Sequence, residues 1–375
     1  MGGGCGAGTA CLFSGGPFSS GRHGILGRFA PYAEGGCATP RWFDAYVGTI
    51  ALRRTSNVGG FQSAVQDLVT GEFARQSVIS RDSVTGDELR TTDLDFDDLA
   101  FGLETILALQ TGPGSNLEAR YFGLNNWETS NRLSTVATGN PTINSAFSNF
   151  ATSPPGGFDD TDTSFIHTLS YESEMHNGEV NYRRSYVPAA SWLQGSWIAG
   201  IRYFDLDERM GLATVGSNNN AFTFDQLRFS NFDVRTRNQL TGFQLGSELW
   251  ANVVPGVKVG ASVKGGIFGN HHEVEHTLVA NSVPGATEFL QGGETAYLTE
   301  FSATMLYRLN YSWTLRGSYN LLYVDNVALA PENFNVRDYS NGIGGGAFTA
   351  ARVPTIDVDG EVFYQGFSVG GEYTF

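Results

Sequence analysis

One segment of this 375-residue chain has the residue types of a metal site: His272-Glu273-Val274-Glu275-His276 spells HExxH, with His271 beside it and Glu294 further on. In zinc hydrolases two histidines one helical turn apart share a metal, and the glutamate between them acts as general base. That chemistry needs a helix. Here the motif leaves an apolar strand ending at Gly269, and Val279–Gly285 (VANSVPG) supplies no helix to follow. On an extended chain, positions i and i+4 lie about 13 Å apart, while each nitrogen must come within about 2.1 Å of a shared zinc. The expectation for His272 and His276 is a charged, exposed hairpin loop rather than a metal centre.

Other reactive combinations are weaker. The sequence contains no GxSxG, Walker A or paired CxxC pattern. His167 and His176 lie near Ser170 and Ser173, but at no spacing that specifies a nucleophile and its base. Cys5, Cys11 and Cys37 make an odd set in a Gly-rich stretch, a poor disulfide framework that allows one bridge in an oxidising compartment. The expectation is a non-enzymatic protein without a cofactor; a hydrolase or metalloprotein is an alternative.

The charges that do form a pattern alternate with apolar residues. Glu104, Glu118, Glu179, Glu248, Glu300 and Glu372, with Arg120, Arg183, Arg202, Lys258, Lys264, Arg308 and Arg316, fall on one face of successive extended segments. The two signs nearly balance, and the set includes both lysines of the chain. Such a face could line the interior of a narrow barrel, packed with ion pairs and hydrogen bonds. A conducting, porin-like constriction is the alternative.

The segments that carry these residues read as β-strands. With 48 Gly, 13% aromatic and only 16% charged residues, the composition favours alternating strands over amphipathic helices. No apolar run is long enough for a membrane-spanning helix. In Tyr297–Leu309 one face holds Tyr297, Phe301, Ala303, Met305 and Tyr307, against Glu300, Ser302, Thr304 and Arg308. Trp313–Val324 and the C-terminal FYQGFSVGGEYTF repeat that alternation. The aromatic pairs Tyr297/Tyr307, Trp313/Tyr323 and Phe363/Tyr373 are each ten residues apart. At about 3.3 Å per residue and a tilt near 40°, that spacing is roughly 25 Å of height, the lipid-facing band between two aromatic girdles.

Further strands are read at Arg41–Arg53, Ala100–Gln110, Leu117–Leu124, Trp197–Asp205, Thr241–Ala251 and Val257–Ile267. Phe165–Val187 changes parity midway, from Phe165, Leu169 and Tyr171 to Val180, Tyr182 and Tyr186. A bulge near Met175–Gly178 would keep it one strand; a turn there would make two. With one strand, five long loops (Thr55–Asp97, Asn125–Asp162, Leu206–Arg235, Asn270–Glu294, Asp325–Gly360) alternate with short turns, as transmembrane barrels require. The expected fold is therefore an all-β, antiparallel up-and-down transmembrane barrel of ten strands over residues 41–375, with twelve as the alternative. Residues 1–40 form a Gly/Cys-rich tail.

Net charge is −15, which argues against nucleic acid as a partner. The acidic residues concentrate in the expected loops, for example Asp82, Asp87, Glu88, Asp93 and Asp98, where loop-bound divalent cations are the one cofactor to consider. Met1–Phe18 has neither the basic start nor the apolar run of a secretory signal.

With the strands placed, the chain resembles the planctomycete outer-membrane β-barrel proteins of the beta-barrel protein seven type. The resemblance rests on Trp197–Phe204 (WIAGIRYF) with Asp207-Glu208, on Asn238–Gly246 (NQLTGFQLG), and on Arg316–Asp325 (RGSYNLLYVD) followed by Val327–Pro331 (VALAP). It spans roughly residues 41–375 and implies a barrel in the outer membrane of a Gram-negative-type envelope. Membrane lipid is then a partner, the loops are extracellular and both termini periplasmic. Phe367, Val369, Tyr373 and Phe375 also resemble the C-terminal signal read by the barrel assembly machinery, which would be a transient partner. The oligomeric state is not legible.

Overall fold

A computed structural model describes residues 43–56, 78–94, 98–112, 114–146, 150, 160–186, 193–217, 222–254, 256–281, 285–310, 312–334 and 356–374. The tail expected at 1–40 and the terminal Phe375 lie outside the described residues. In chain order the strands are β1 (Phe43–Ser56), β2 (Val78–Asp82), β3 (Glu88–Arg90), β4 (Ala100–Gly112), β5 (Ser115–Ser134), β6 (Ile143–Ser145) and β7 (Ser164–Tyr186). They continue with β8 (Leu193–Ser217), β9 (Leu227–Val254), β10 (Val257–Ala280), β11 (Ala286–Arg308), β12 (Trp313–Val327) and β13 (Gly360–Thr374); a short α-helix, α1, covers Ala330–Asn333.

Ten of these strands close a ring. The order β7-β5-β4-β1-β13-β12-β11-β10-β9-β8 returns to β7, and every pairing is antiparallel. Closure joins the first and last strands, from Asp44↔Thr374 to Ser56↔Val362, so neither keeps an open edge. The remaining strands, β2, β3 and β6, form a small sheet that joins the barrel where Ile143 pairs with Ser164. The ten-strand barrel expected from the alternation is the one observed. No helix among the described residues is long and apolar enough to cross a membrane, which says nothing of strands.

The strands are much longer than the alternation suggested. Two of the expected long loops are mostly strand. Leu206–Arg235 is the top of the β8–β9 hairpin, and Asn270–Glu294 is the top of β10–β11. In Asn125–Asp162 the first ten residues continue β5 to Ser134. The reason is visible on β7 and β8. On β8 the outward side chains run Trp197, Ala199, Ile201 and Tyr203, then Asp205, Asp207 and Arg209. The inward ones run Ser196 and Arg202, then Phe204, Leu206, Met210 and Leu212. Each face changes character near residue 203 while the strand itself continues.

This inversion also explains the parity change in β7. The strand has no bulge at Met175–Gly178. Its odd-numbered residues face inward throughout, from Phe165 and Tyr171 to Glu179 and Arg183. In the lower part, toward the termini, the outer face is apolar and the inner face polar. In the upper part the outside is charged and the inside apolar. A wall that passes from hydrocarbon into water must make this exchange, because the apolar face follows whichever side excludes water. Above residue 270, β10 adds ten more residues, a protrusion of roughly 25 Å at the tilt used above.

The register shift lies instead on the partner strand. Leu124 of β5 adopts a φ of 64°, and the pairing with β7 slips between Gly123 and Asn125. Before this bulge the even residues Glu118, Arg120 and Phe122 point inward; after it, Asn125 and Trp127 do. A leucine at positive φ is costly and is held by the pairing on both sides of it.

Candidate functional site

The interior is the candidate site, and its lower half is built by alternation alone. All thirteen charged residues expected in the lumen lie on the inward parity of their strands. Glu104, Arg120, Glu179, Arg202, Lys264 and Glu300 come from six different strands and are all buried. Arg120 reaches Glu104 at 2.7 Å, Glu179 at 3.1 Å and also Glu300. Arg202 meets Glu300 at 2.7 Å, and Lys264 bridges Glu179 at 2.7 Å and Glu300 at 3.2 Å. Gln244 donates to Asn181 at 2.7 Å and to Glu179. Three acids and three bases thus neutralise one another across the full width of the barrel, so the buried charges are mutually compensated.

A second layer lies below. Arg183 pairs with Glu118 at 2.8 Å and Glu248 at 3.3 Å, and Arg316 approaches Glu372 at 3.9 Å. Lys258 is exposed and Arg308 half-buried at the lower mouth, with Arg308 Nε donating to the Asn310 carbonyl at 3.1 Å. A pocket between the two layers, bounded by Ser262, Ser302, Thr304 and Asn320, has a volume of about 30 Å³, room for no more than a few water molecules.

The upper half is closed by a different chemistry. Phe204, Leu206, Phe232, Leu240, Phe268, Val274, Leu298, Val324 and Tyr364 turn inward and form one apolar core. Into it folds the chain after β12: Val327, Ala328, Leu329 and Ala330 are buried, α1 follows, and Phe334 packs edge-on against Phe232 at 4.9 Å. Asn238 holds this plug from the wall. Its side chain accepts the Ala328 N–H at 2.8 Å and donates to the Ala328 carbonyl at 2.7 Å. Asn333 closes the other side, donating to the Asp357 carbonyl at 2.8 Å and accepting the Asp357 N–H at 2.9 Å.

One ion pair is buried within this apolar half. Arg54 meets Glu208, both wholly enclosed, with the guanidinium over the Tyr171 ring at 5.3 Å. Glu208 also accepts the Tyr171 hydroxyl at 3.0 Å, the Ser173 hydroxyl at 3.4 Å and the Ala330 N–H at 3.0 Å. It ties wall, core and plug together. Sequence reasoning missed it because Arg54 sat at the end of a strand thought to stop at 53, and Glu208 in an expected loop.

The HExxH segment is corrected by the same inversion. His272 and His276 are not in an exposed hairpin loop; they face inward from mid-strand and are buried, with Val274 between them. His272 lies so close to Gly292 that a Cβ there would stand 2.4 Å from Nε2. Burial pushes its imidazole below the ordinary range, with the Glu294 carboxylate pulling the other way. His276 donates from Nε2 to the Asn333 carbonyl at 3.0 Å, faces Glu288 at 3.5 Å, and stacks on Phe232. His276 thus holds the plug. Among the described residues no three His, Cys, Asp or Glu side chains are grouped to hold a metal.

The other weak grouping is divided by the wall. His167 and Ser173 face inward, whereas Ser170 and His176 face outward. His167 Nδ1 lies 2.7 Å from the Ser80 hydroxyl of the small upper sheet. Of the acidic loop residues, Asp82 is buried in a turn and accepts the Val84 N–H at 2.9 Å.

The outer face of the lower half carries the expected girdle residues Tyr297, Tyr307, Trp313, Tyr323, Phe363 and Tyr373, all outward. Trp313 and Tyr373 pack edge-on at 5.0 Å. Between the two levels Phe243 is 77% exposed, Leu245 70% and Ile267 63%. A contiguous apolar belt of that exposure suits hydrocarbon, not water. Phe367 and Val369 are outward within it.

No protein-family model and no curated protein matches the chain. Its shape is similar to several solved barrels. The outer membrane protease OmpT from Escherichia coli has 11% identity and a TM-score of 0.48, covering 91% of this chain and 99% of that one. The toluene transporter TodX of Pseudomonas putida has 10% identity and a TM-score of 0.25, covering 90% of each chain. CarO of Acinetobacter baumannii has 10% identity and a TM-score of 0.22, covering 88% of this chain and 97% of that one.

Proposed function

We propose that the chain is a non-enzymatic barrel of a bacterial outer membrane, closed to solutes, whose protruding upper half serves envelope structure or surface interaction. The observation that carries this reading is the double closure of the interior, by a neutralised ionic layer below and an apolar plug above. The lipid-facing belt supports the membrane setting, and the order of weak motifs supports the planctomycete placement. With long connections at the upper end, the expected orientation puts that end outside the cell and both termini in the periplasm. Phe367, Val369 and Tyr373, outward on the closing strand, fit recognition by the assembly machinery.

Planar-bilayer recording of the refolded full chain tests the closure. The expected result is no steady single-channel steps from the native barrel. Steady steps would overturn it in favour of the porin reading. For the metalloprotein alternative, unchanged metal content in H272A/H276A ends that reading.

A further inference from the structure

At the level where the outer face passes from apolar to charged, β5, β7 and β8 place Tyr121, Gly178 and Tyr203 side by side. The glycine leaves a gap between two tyrosines. A Cβ built on Gly178 would meet nothing within 4 Å. Below the gap lies a notch of about 420 Å³ walled by Leu107, Ala119, Val180 and Ile201. With the belt in lipid, this notch holds hydrocarbon, because its lining is mostly apolar, with the hydroxyls of Thr105 and Thr241 at its margin.

The upper rim of the notch is polar and directed. Tyr121 Oη lies 2.9 Å from His176 Nδ1, and His176 Nε2 lies 3.1 Å from Glu174. The carboxylate only accepts, so the ring donates to it from Nε2. Beyond this histidine, Glu174 makes no ion pair among the described residues. Its side chain is 48% exposed. The arginines nearby are already engaged: Arg237 with Asp205 at 2.8 Å, Arg235 with Asp207 at 3.0 Å, Arg209 with Asp233 at 3.1 Å. Glu172 follows Glu174 on the same face and stands directly opposite Glu128. The rim therefore carries an excess of negative charge above an apolar notch.

We propose that this face binds a phospholipid with a protonated amine headgroup, one acyl chain lying in the notch at Gly178 and the ammonium on Glu174. An anionic headgroup would bring its phosphate against the same carboxylates without an ammonium to offset them. The inference rests on the membrane reading above but concerns only the outer face, so it is independent of whether the lumen conducts.

The test is native mass spectrometry of the folded full chain in detergent, with phosphatidylethanolamine or phosphatidylglycerol of identical acyl chains. The expected result is a phosphatidylethanolamine adduct at least about tenfold more abundant than the phosphatidylglycerol adduct, each tenfold being 1.4 kcal/mol of binding. G178L, which fills the notch without a backbone clash, removes both adducts. E174Q, a surface change that leaves the wall intact, keeps the adduct and brings the ratio near one. Adducts that survive G178L, an unchanged ratio in E174Q, or equal binding of the two lipids by the native chain would each overturn the proposal. Gel migration identical before and after boiling, in a chain soluble without detergent, would instead remove the membrane reading beneath it.

Discussion

The pair Arg54–Glu208 gives the sharpest test of how the upper barrel is held. Both side chains are wholly enclosed, so solvent screening cannot weaken their interaction as it does at a surface. In E208Q the amide oxygen can still accept the Tyr171 hydroxyl and the Ala330 N–H, and only the charge is lost. The enclosed guanidinium of Arg54 then keeps its full charge but loses the Glu208 carboxylate. Breaking one side of a buried pair costs about 3–5 kcal/mol, because the remaining charge cannot return to water. R54M has the converse effect, leaving Glu208 among Tyr171, Ser173 and the plug, and should cost a comparable amount. R54M/E208Q removes both charges while preserving the acceptor that the plug needs. It is expected to lie within about 1.5 kcal/mol of the native protein, giving a coupling energy of several kcal/mol. Urea unfolding of the refolded barrel in detergent micelles measures all four forms, with m-values checked for constancy. A cost below about 1 kcal/mol for E208Q, or a double variant as unstable as the sum of the singles, would refute the reasoning.

Two further outcomes follow from the same geometry. A Cβ at Gly366 would stand 1.9 Å from the Ala51 carbonyl across the closing β1–β13 seam. G366A should therefore cost about 3 kcal/mol or prevent closure. The fraction of heat-shifted band after refolding reports it, and native-like closure would contradict it. Burial holds the His167 imidazole at about 3, against a weaker pull from the Thr161 backbone. Because the folded value lies below the unfolded one, the unfolded chain takes up the proton first. Stability is then level above about pH 7 and falls as pH drops through 6.5 toward 3. Over the two units from 6.5 to 4.5 the loss is about 3 kcal/mol. H167N, which can keep a partner for Ser80, should flatten that part of the urea-midpoint profile; equal slopes would count against it.

The sequence by itself determined the number of barrel strands and the inward position of thirteen charged residues. Alternation is local: a strand between lipid and a polar lumen must place unlike residues on successive positions, and that can be read one segment at a time. It also placed the aromatic pairs Tyr297/Tyr307, Trp313/Tyr323 and Phe363/Tyr373 on one face, which the structure turns outward. The tertiary structure decided how far the strands run and what closes them. Alternation became misleading above residue 203 of β8 and 178 of β7, where the same strand exchanges its apolar face. The exchange is correct physics for a wall leaving lipid, yet in sequence it looks like a bulge or the start of a loop. At Leu124 the true bulge leaves no such mark, because a leucine at positive φ is imposed by neighbouring strands. His276 shows the consequence: the sequence read it as part of an exposed loop, and only the fold places it inward against the Asn333 carbonyl of the plug.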